Sequence, residues 1–426
     1  MKEDRRRFIK GLLVGIIVIV WGYTVVNGAM ILYRRNIEQS ITVPEKIHLI
    51  TYILENNFKG ELDTQAMLDA MFAGLLYGVG DRYTSYMTAA EFERFWEMSR
   101  GTYVGIGAVV TRGEDGSVII VSPYIGSPAY TAGLLPGDRI RYVNGDDITS
   151  NDLSVTIGLI QGEIGTSVNL TIFREYENET FNVDIVRDTI EIPTIFYEML
   201  ENIESSEALL ENQELFGDFG GIDLTGQNIG YIRMSGFEGV TYQQFVEAFE
   251  SLEQQGMEGL ILDLRNNPGG RLDVVVNITD RLVPEGLIVY TENARGQRNE
   301  SHSGPERIEI PFVILINGNS ASASEVLSGA AQDHGVAVLV GEQSFGKGLV
   351  QDIFTLPDGS AIRVTIATYY TPNGRSIHGI GLTPDHLVEI DPGISARIHQ
   401  IERNQDVQLH RAIEVIQEWI FTGSPQ

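Results

Sequence analysis

No cysteine occurs among the 426 residues. Disulfide scaffolds, thiolate metal sites and cysteine nucleophiles are excluded together, so any catalysis must use other groups. Positive charge is also scarce. Lys and Arg number 30 against 58 Asp and Glu, a formal charge of -28, which repels phosphate backbones and makes nucleic acid an unexpected partner. No H-E-x-x-H or other metal-ligand spacing is present, and neither a metal nor a cofactor is implied. Internal repeats and low-complexity tracts are lacking too. What remains, 43% hydrophobic and 21% charged, is a globular composition long enough for two or three domains.

One long apolar run stands at the start. Lys2, Arg5, Arg6, Arg7 and Lys10 precede residues 11–33, which carry no charge. A bilayer crossing takes about 20 apolar residues, whereas a secretory core takes about 7 to 15, so the run is expected to be a transmembrane helix rather than a cleaved signal. The basic flank before it outweighs the Arg34-Arg35 pair after it. By the positive-inside rule residue 1 stays in the cytoplasm and the rest lies outside a plasma membrane.

Residues 37–100 read as helical, with Ile47, Ile50, Ile53 and Leu54, then Met67, Leu68, Met71 and Leu75, at helix-face spacing. Residues 101–190 switch to short β-type runs separated by Gly- and Asn-rich turns. Residues 191–390 alternate strand and helix signals, the mark of an α/β domain, and residues 391–426 return to a helical tail. Thr241 and Gln244 match a capping box at a helix start. A late hairpin is expected to turn at Pro357-Asp358-Gly359.

Within the β-rich part, residues 133–145 place one tight turn at Gly137-Asp138 and another at Asn144-Gly145. This stretch resembles a PDZ domain. Such domains hold a protein's terminal carboxylate in a nest of backbone amides and add the peptide as a strand at a sheet edge. Gly105-Ile106-Gly107 resembles that carboxylate loop, because glycine allows close approach of a ligand to the backbone.

Gly341 through Lys347 fits the opening of a phosphate-binding loop, but Gly348 stands where Ser or Thr should bind magnesium, and a strand-like run follows instead of a helix. A nucleotide triphosphatase is therefore disfavoured. The same lysine gains meaning beside Ser320-Ala321-Ser322-Ala323-Ser324-Glu325, which follows an apolar strand and opens a helix. There a serine oxygen can be presented openly while nearby amides stabilise developing negative charge. A set of ordinary serine N-caps is the plain alternative.

Together with Phe345-Gly346-Lys347-Gly348, Gln351 and the upstream Asp263-Leu264-Arg265-Asn266-Asn267-Pro268-Gly269-Gly270, this segment resembles the carboxyl-terminal processing peptidases, or tail-specific proteases, serine proteases with a Ser/Lys dyad. The resemblance implies Ser322 as nucleophile, Lys347 as general base and Gln351 as the residue that orients the lysine. It also implies an oxyanion hole from the Ala323 amide and one of Gly269 or Gly270. Lysine acts as a base only when neutral, so its surroundings must lower its pKa by desolvation. His334 and His378 are the histidines nearest these motifs. No G-x-S-x-G elbow surrounds Ser322, and His334 reads as a helix-end residue. Leu349 and Asn319 depart from the family's usual choices without touching a proposed catalytic residue.

The expected architecture is α/β, a crotonase-like sheet-and-helix core with an inserted PDZ-like domain, helical flanks and an anchor over residues 1–36. The expected activity is endoproteolysis, through an acyl-enzyme, of proteins with accessible carboxyl termini. The helical ends are candidate homodimer elements. The alternative is a PDZ-type adaptor with an inactive core, which the intact Ser322, Lys347 and Gln351 disfavour. Arg187 is a candidate link between peptide binding and activity.

Overall fold

A computed structural model of the chain describes residues 20–30, 41–201, 224, 226–395 and 397–424. Residues 20–30 are helical, and the remainder of the uncharged 11–33 stretch lies outside the described residues. Among the described residues, no helix is long and apolar enough to cross a membrane. The chain divides after Phe72 into two compact units. In the first, α1 (Val43–Asn57) starts where the Thr42 amide donates to Glu45 at 2.8 Å; α2 (Thr64–Tyr77) runs across the division point.

The second unit opens with β1 (Ser85–Met87) and α3 (Ala89–Arg100), so the segment expected to be wholly helical contributes a strand as well. Thr88 and Glu91 form the reciprocal cap of α3, with Thr88 N–H donating to Glu91 at 2.9 Å. Then come β2 (Thr102–Gly105), β3 (Ala108–Arg112), β4 (Val118–Pro123), α4 (Pro128–Thr131), β5 (Arg139–Val143), β6 (Asp146–Asp147), α5 (Leu153–Ile160), β7 (Ser167–Arg174), β8 (Glu179–Val186) and β9 (Asp188–Glu191). An antiparallel sheet runs β3-β4-β5-β7-β8, with β6 beside β5, while β2 pairs with β9. Val168, Leu170 and Ile172 are fully buried and their intervening neighbours are not, the period-two pattern of a sheet with one covered face. β3 is one edge strand of this sheet and, among the described residues, pairs with β4 alone.

The main remaining elements are β10 (Ile195–Met199), β11 (Ile229–Met234), α6 (Thr241–Gln254), β12 (Gly259–Asp263), α7 (Leu272–Leu282), β13 (Gly286–Asn293), β14 (Arg298–Ser303), β15 (Phe312–Ile316), α8 (Ala323–Asp333), β16 (Ala337–Gly341), β17 (Leu349–Thr355), β18 (Ala361–Tyr370), β19 (His386–Leu387) and α9 (Val407–Thr422). A sheet in the order β10-β11-β12-β15-β16-β19 is parallel from β11 onward. All residues of β12, β15 and β16 are buried, as expected of strands covered on both faces. One face packs on α6, α7 and α8 through Phe245, Ile278 and Leu327. The other packs on α9 through Leu409, Ile413 and Ile416. The expected helical tail is thus a structural layer of the core. A second, antiparallel sheet runs β1-β18-β13-β14 with β17 on β18, and the β17–β18 hairpin turns at residues 356–360 as the sequence predicts.

The capping box expected at Thr241 does not form. Val240 is the N-cap, the Thr241 hydroxyl accepts from the Glu238 amide at 3.0 Å, and Gln244 accepts from the Thr194 amide at 2.9 Å. Both side chains serve the neighbouring loop instead of the helix end.

Candidate active site

Parallel sheets present ligand crevices at the carboxyl ends of their strands. Here the loops after β11, β12, β15 and β16 carry Glu238, Gly270, Ser322 and Lys347, and all four border one cavity of about 570 Å³. Phe95 and Trp96 of α3, together with Gln351, Arg363 and Tyr369 of the second sheet, complete much of its wall.

The three serines of the turn separate by geometry. The Ser320 hydroxyl donates to Leu264 O at 2.8 Å and the Ser324 hydroxyl to Asn267 O at 2.9 Å, both fully buried. They fasten the turn to the loop after β12. Ser322 alone of the three faces the cavity. It sits at the head of α8 with φ +57°, a left-handed backbone that a side-chain-bearing residue adopts only when its surroundings hold it there. Its carbonyl accepts from Tyr369 Oη at 2.9 Å.

Much of that holding comes from Glu325, 1% exposed, a residue with no role in the sequence beyond motif membership. Its Oε2 accepts the amides of Ser322 and Lys347, each at 2.9 Å, and its Oε1 accepts the Gly346 amide at 2.7 Å and the Ser344 hydroxyl at 2.5 Å. One carboxylate ties the α8 turn to the lysine loop.

Burial pushes the Lys347 ammonium below its ordinary pKa. The nearby guanidinium of Arg363 acts in the same direction, Glu325 opposes, and Arg82 adds to the lowering. Lys347 Nζ lies 5.1 Å from the centroid of the Tyr83 ring, and Arg363 Nε donates to Tyr83 O at 3.3 Å. Arg82 and Tyr83 precede β1, in a segment without a motif that marks a site residue. The antiparallel pairing of β1 with β18 brings them here.

The two glycines that the sequence left undistinguished now differ. The Gly269 amide donates to Asn267 Oδ1 at 2.9 Å, whereas Gly270 borders the cavity. Among the described residues, the amides of Gly270 and Ala323 have no acceptor. Gln351 also borders the cavity, and its side-chain amide donates to Leu349 O at 3.2 Å. The bulge where β17 meets β18, between Val350 and Gln351, accompanies that inward turn. No histidine lines the cavity: His334 ends α8 with Nε2 2.8 Å from Leu287 O, and His378 is exposed beside Gly348. No cluster with metal-ligand composition occurs among the described residues.

In the β-rich domain, Gly105-Ile106-Gly107 forms the loop between β2 and β3. The Ile106 and Gly107 carbonyls accept from Ala129 and Tyr124 amides at 2.8 and 2.9 Å, which turns the carbonyls toward the domain's own backbone. Gly107 has φ +78°, and a Cβ there would lie 2.4 Å from Ser127 Cβ. Arg187 is buried at the end of α5. It donates to Ile160 O at 2.7 Å, Leu159 O at 3.0 Å and Thr166 Oγ1 at 2.9 Å, which makes it a cap for that helix.

A serine at a strained turn, a desolvated lysine and two unengaged amides around one cavity are the parts of a serine hydrolase. Residues 228–388 match the model of peptidase family S41, and residues 103–185 match a PDZ domain. The chain is 35% identical to a carboxy-terminal-processing protease of Bartonella bacilliformis, over 77% of this chain and 70% of that one. It is 34% identical to a carboxyl-terminal-processing protease of Synechocystis, over 83% and 77% of the two chains. It is 29% identical to the carboxy-terminal processing protease CtpA of Bacillus subtilis, over 92% and 78%. Among solved structures, a photosystem II D1 C-terminal processing protease matches with a TM-score of 0.46 and 28% identity, covering 87% of this chain and 90% of that one. The chain belongs to peptidase family S41, the carboxyl-terminal-processing serine proteases, and carries that family's PDZ domain.

Proposed function

We propose that the chain is an endopeptidase that works through a Ser322/Lys347 dyad on a core of the crotonase-like type. Neutral Lys347 takes the Ser322 Oγ proton as that oxygen attacks a peptide carbonyl. The Ala323 and Gly270 amides hold the resulting oxyanion. Collapse breaks the C–N bond, the Lys347 ammonium protonates the leaving amine, and an ester to Ser322 remains. Lys347 then deprotonates the water that attacks this ester and passes the proton to Ser322 Oγ as the carboxylic acid product leaves. The single observation that carries the reading is that, of three serines in the turn, only Ser322 borders the cavity shared with a desolvated lysine.

The PDZ domain would recruit substrate by its carboxyl terminus. The amides of the Gly105–Gly107 loop would meet the carboxylate, and the peptide would extend the sheet beside β3, whose outer edge is unpaired among the described residues. The charge-free run at residues 11–33 supports a single membrane anchor with the catalytic part outside the cytoplasm. The helical ends remain candidates for homodimer contacts.

The test incubates the full chain, beside Ser322→Ala and Lys347→Ala, with an unfolded protein and follows the fragments by mass spectrometry. Cleavage by the wild type alone is expected. Equal cleavage by Ser322→Ala would remove the serine from the mechanism, and no cleavage by any form, with a carboxyl-terminal peptide added, would favour the adaptor.

A further inference from the structure

We propose that Glu238 is a specificity-determining residue of the cavity, receiving the cationic head of a lysine or arginine side chain of the substrate; this rests on the cavity being where peptides are cut. Glu238 follows β11 and borders the cavity that holds Ser322 and Lys347. Its Oε2 is buried and has no hydrogen-bond partner. Burial holds its carboxyl above the usual range, opposed only by its own amide and the Thr241 hydroxyl. No cation contributes. Asp273, which also borders the cavity, is paired with Arg271 at 2.7 Å.

The placement is built rather than incidental. Gly236 makes room for the carboxylate, since a Cβ there would lie 2.4 Å from Oε2 and 2.5 Å from Oε1. The loop is fixed by Gly239 N–H donating to Ser99 O at 3.0 Å, and Glu238 N–H donating to Thr241 Oγ1 at 3.0 Å. These contacts hold Glu238 against the last turn of α3, whose Phe95 and Trp96 face the same cavity. A carboxylate oxygen buried without a hydrogen-bond partner destabilises the empty site, because nothing replaces the hydration it has lost. A basic side chain relieves this. Its aliphatic stem packs on the aromatic rings while its head reaches the carboxylate by rotation of the glutamate, and the indole face also attracts the cation.

The experiment uses the full chain and internally quenched peptides of one sequence in which Lys, Leu or Glu is placed in turn at each position around the scissile bond. At one position Lys is expected to exceed Glu by about tenfold in kcat/KM. Glu238→Gln should abolish most of that ratio through the lysine peptide, and Glu238→Lys should reverse it in favour of Glu. The same peptides, fluorescein-labelled and bound to Ser322→Ala, give the ratio as Kd by anisotropy. This arm decides the proposal even if Ser322 proves not to be the nucleophile. Thermal unfolding of the near-isosteric Glu238→Gln checks its fold, so that a misfolded Glu238→Lys leaves the decision intact. No position favouring Lys in either arm would overturn the proposal. So would an equal loss on all peptides in Glu238→Gln, which would mark a contact to substrate backbone or a purely structural carboxyl.

Discussion

The backbone amides of Ser322 and Lys347 donate to the same oxygen, Oε2 of Glu325, at 2.9 Å each. Two loops that leave different strands are thereby held in one register, and the strained φ of Ser322 is maintained by a buried acceptor. Glu325→Gln keeps the volume but turns part of that acceptor into a donor facing N–H groups. A fall in kcat of about tenfold to a hundredfold with little change in KM is expected, since the loss is one of positioning. The carboxylate also raises the Lys347 pKa. Its neutralisation should therefore move the acid limb of the pH–rate profile to lower pH, a shift that loosened packing alone would not produce.

The lysine's own titration gives a second test. Burial, Arg363 and Arg82 hold its pKa below the ordinary lysine value, and only the neutral amine accepts a proton. Activity should thus rise with pH through the depressed pKa. Arg363→Met removes a lowering charge, so the acid limb should move to higher pH, opposite in sign to Glu325→Gln. Stability follows the same linkage. Between the folded pKa and the ordinary value the unfolded chain binds more protons, so the wild type should gain stability as pH rises across that window, and Lys347→Met should lose this slope. Urea titrations at several pH values read it directly.

Gly270 offers a third. A Cβ there would lie 2.4 Å from Phe237 O, and its φ of +152° is unusual for a side-chain-bearing residue. Gly270→Ala should displace the amide that faces the cavity and lower kcat by about a hundredfold or more, the scale of losing one oxyanion donor. Gly269→Ala is expected to fail differently. Its Cβ would lie 2.8 Å from both Ala323 N and Ser322 Cβ, so the nucleophile turn itself must move and thermal stability should fall with activity. Comparing Tm and kcat for the two variants separates the cases.

The parts of the site that could be read in advance are those confined to short turns. The serine turn after an apolar strand, the glycines after β12 and the lysine loop each announce a strained or crowded backbone locally. Glu325 stood within the quoted motif, yet its four donors come from two loops that meet only in the folded chain. Arg82 and Tyr83 reach Lys347 through a strand pairing some 280 residues apart, a distance over which periodicity carries no information. Thr241 and Gln244 match a capping pattern, but their side chains have other partners in the neighbouring loop. The role of α9 was hidden for a related reason: an amphipathic helix declares an apolar face but not the surface that covers it.

That last helix is joined to the core by charge as well as by its apolar face. Arg265, 2% exposed, donates Nη1 and Nη2 to the two oxygens of Asp406 at 2.8 Å each, and its Nη2 also meets Asp263 at 2.6 Å. Asp406 in turn caps α9, accepting the Leu409 amide at 3.0 Å. Asp406→Ala would leave a buried guanidinium one carboxylate short and the helix start uncapped. A loss of about 3 to 5 kcal/mol is expected from breaking a buried pair in this way, with roughly 1 more from the cap. Asp406→Asn, which can keep the cap, should lose less. If both variants unfold within about 1 kcal/mol of the wild type in denaturant titrations, the buried pair contributes little. The helix would then be held to the sheet by Leu409, Ile413 and Ile416 alone, and Ile413→Ala should become the more damaging change.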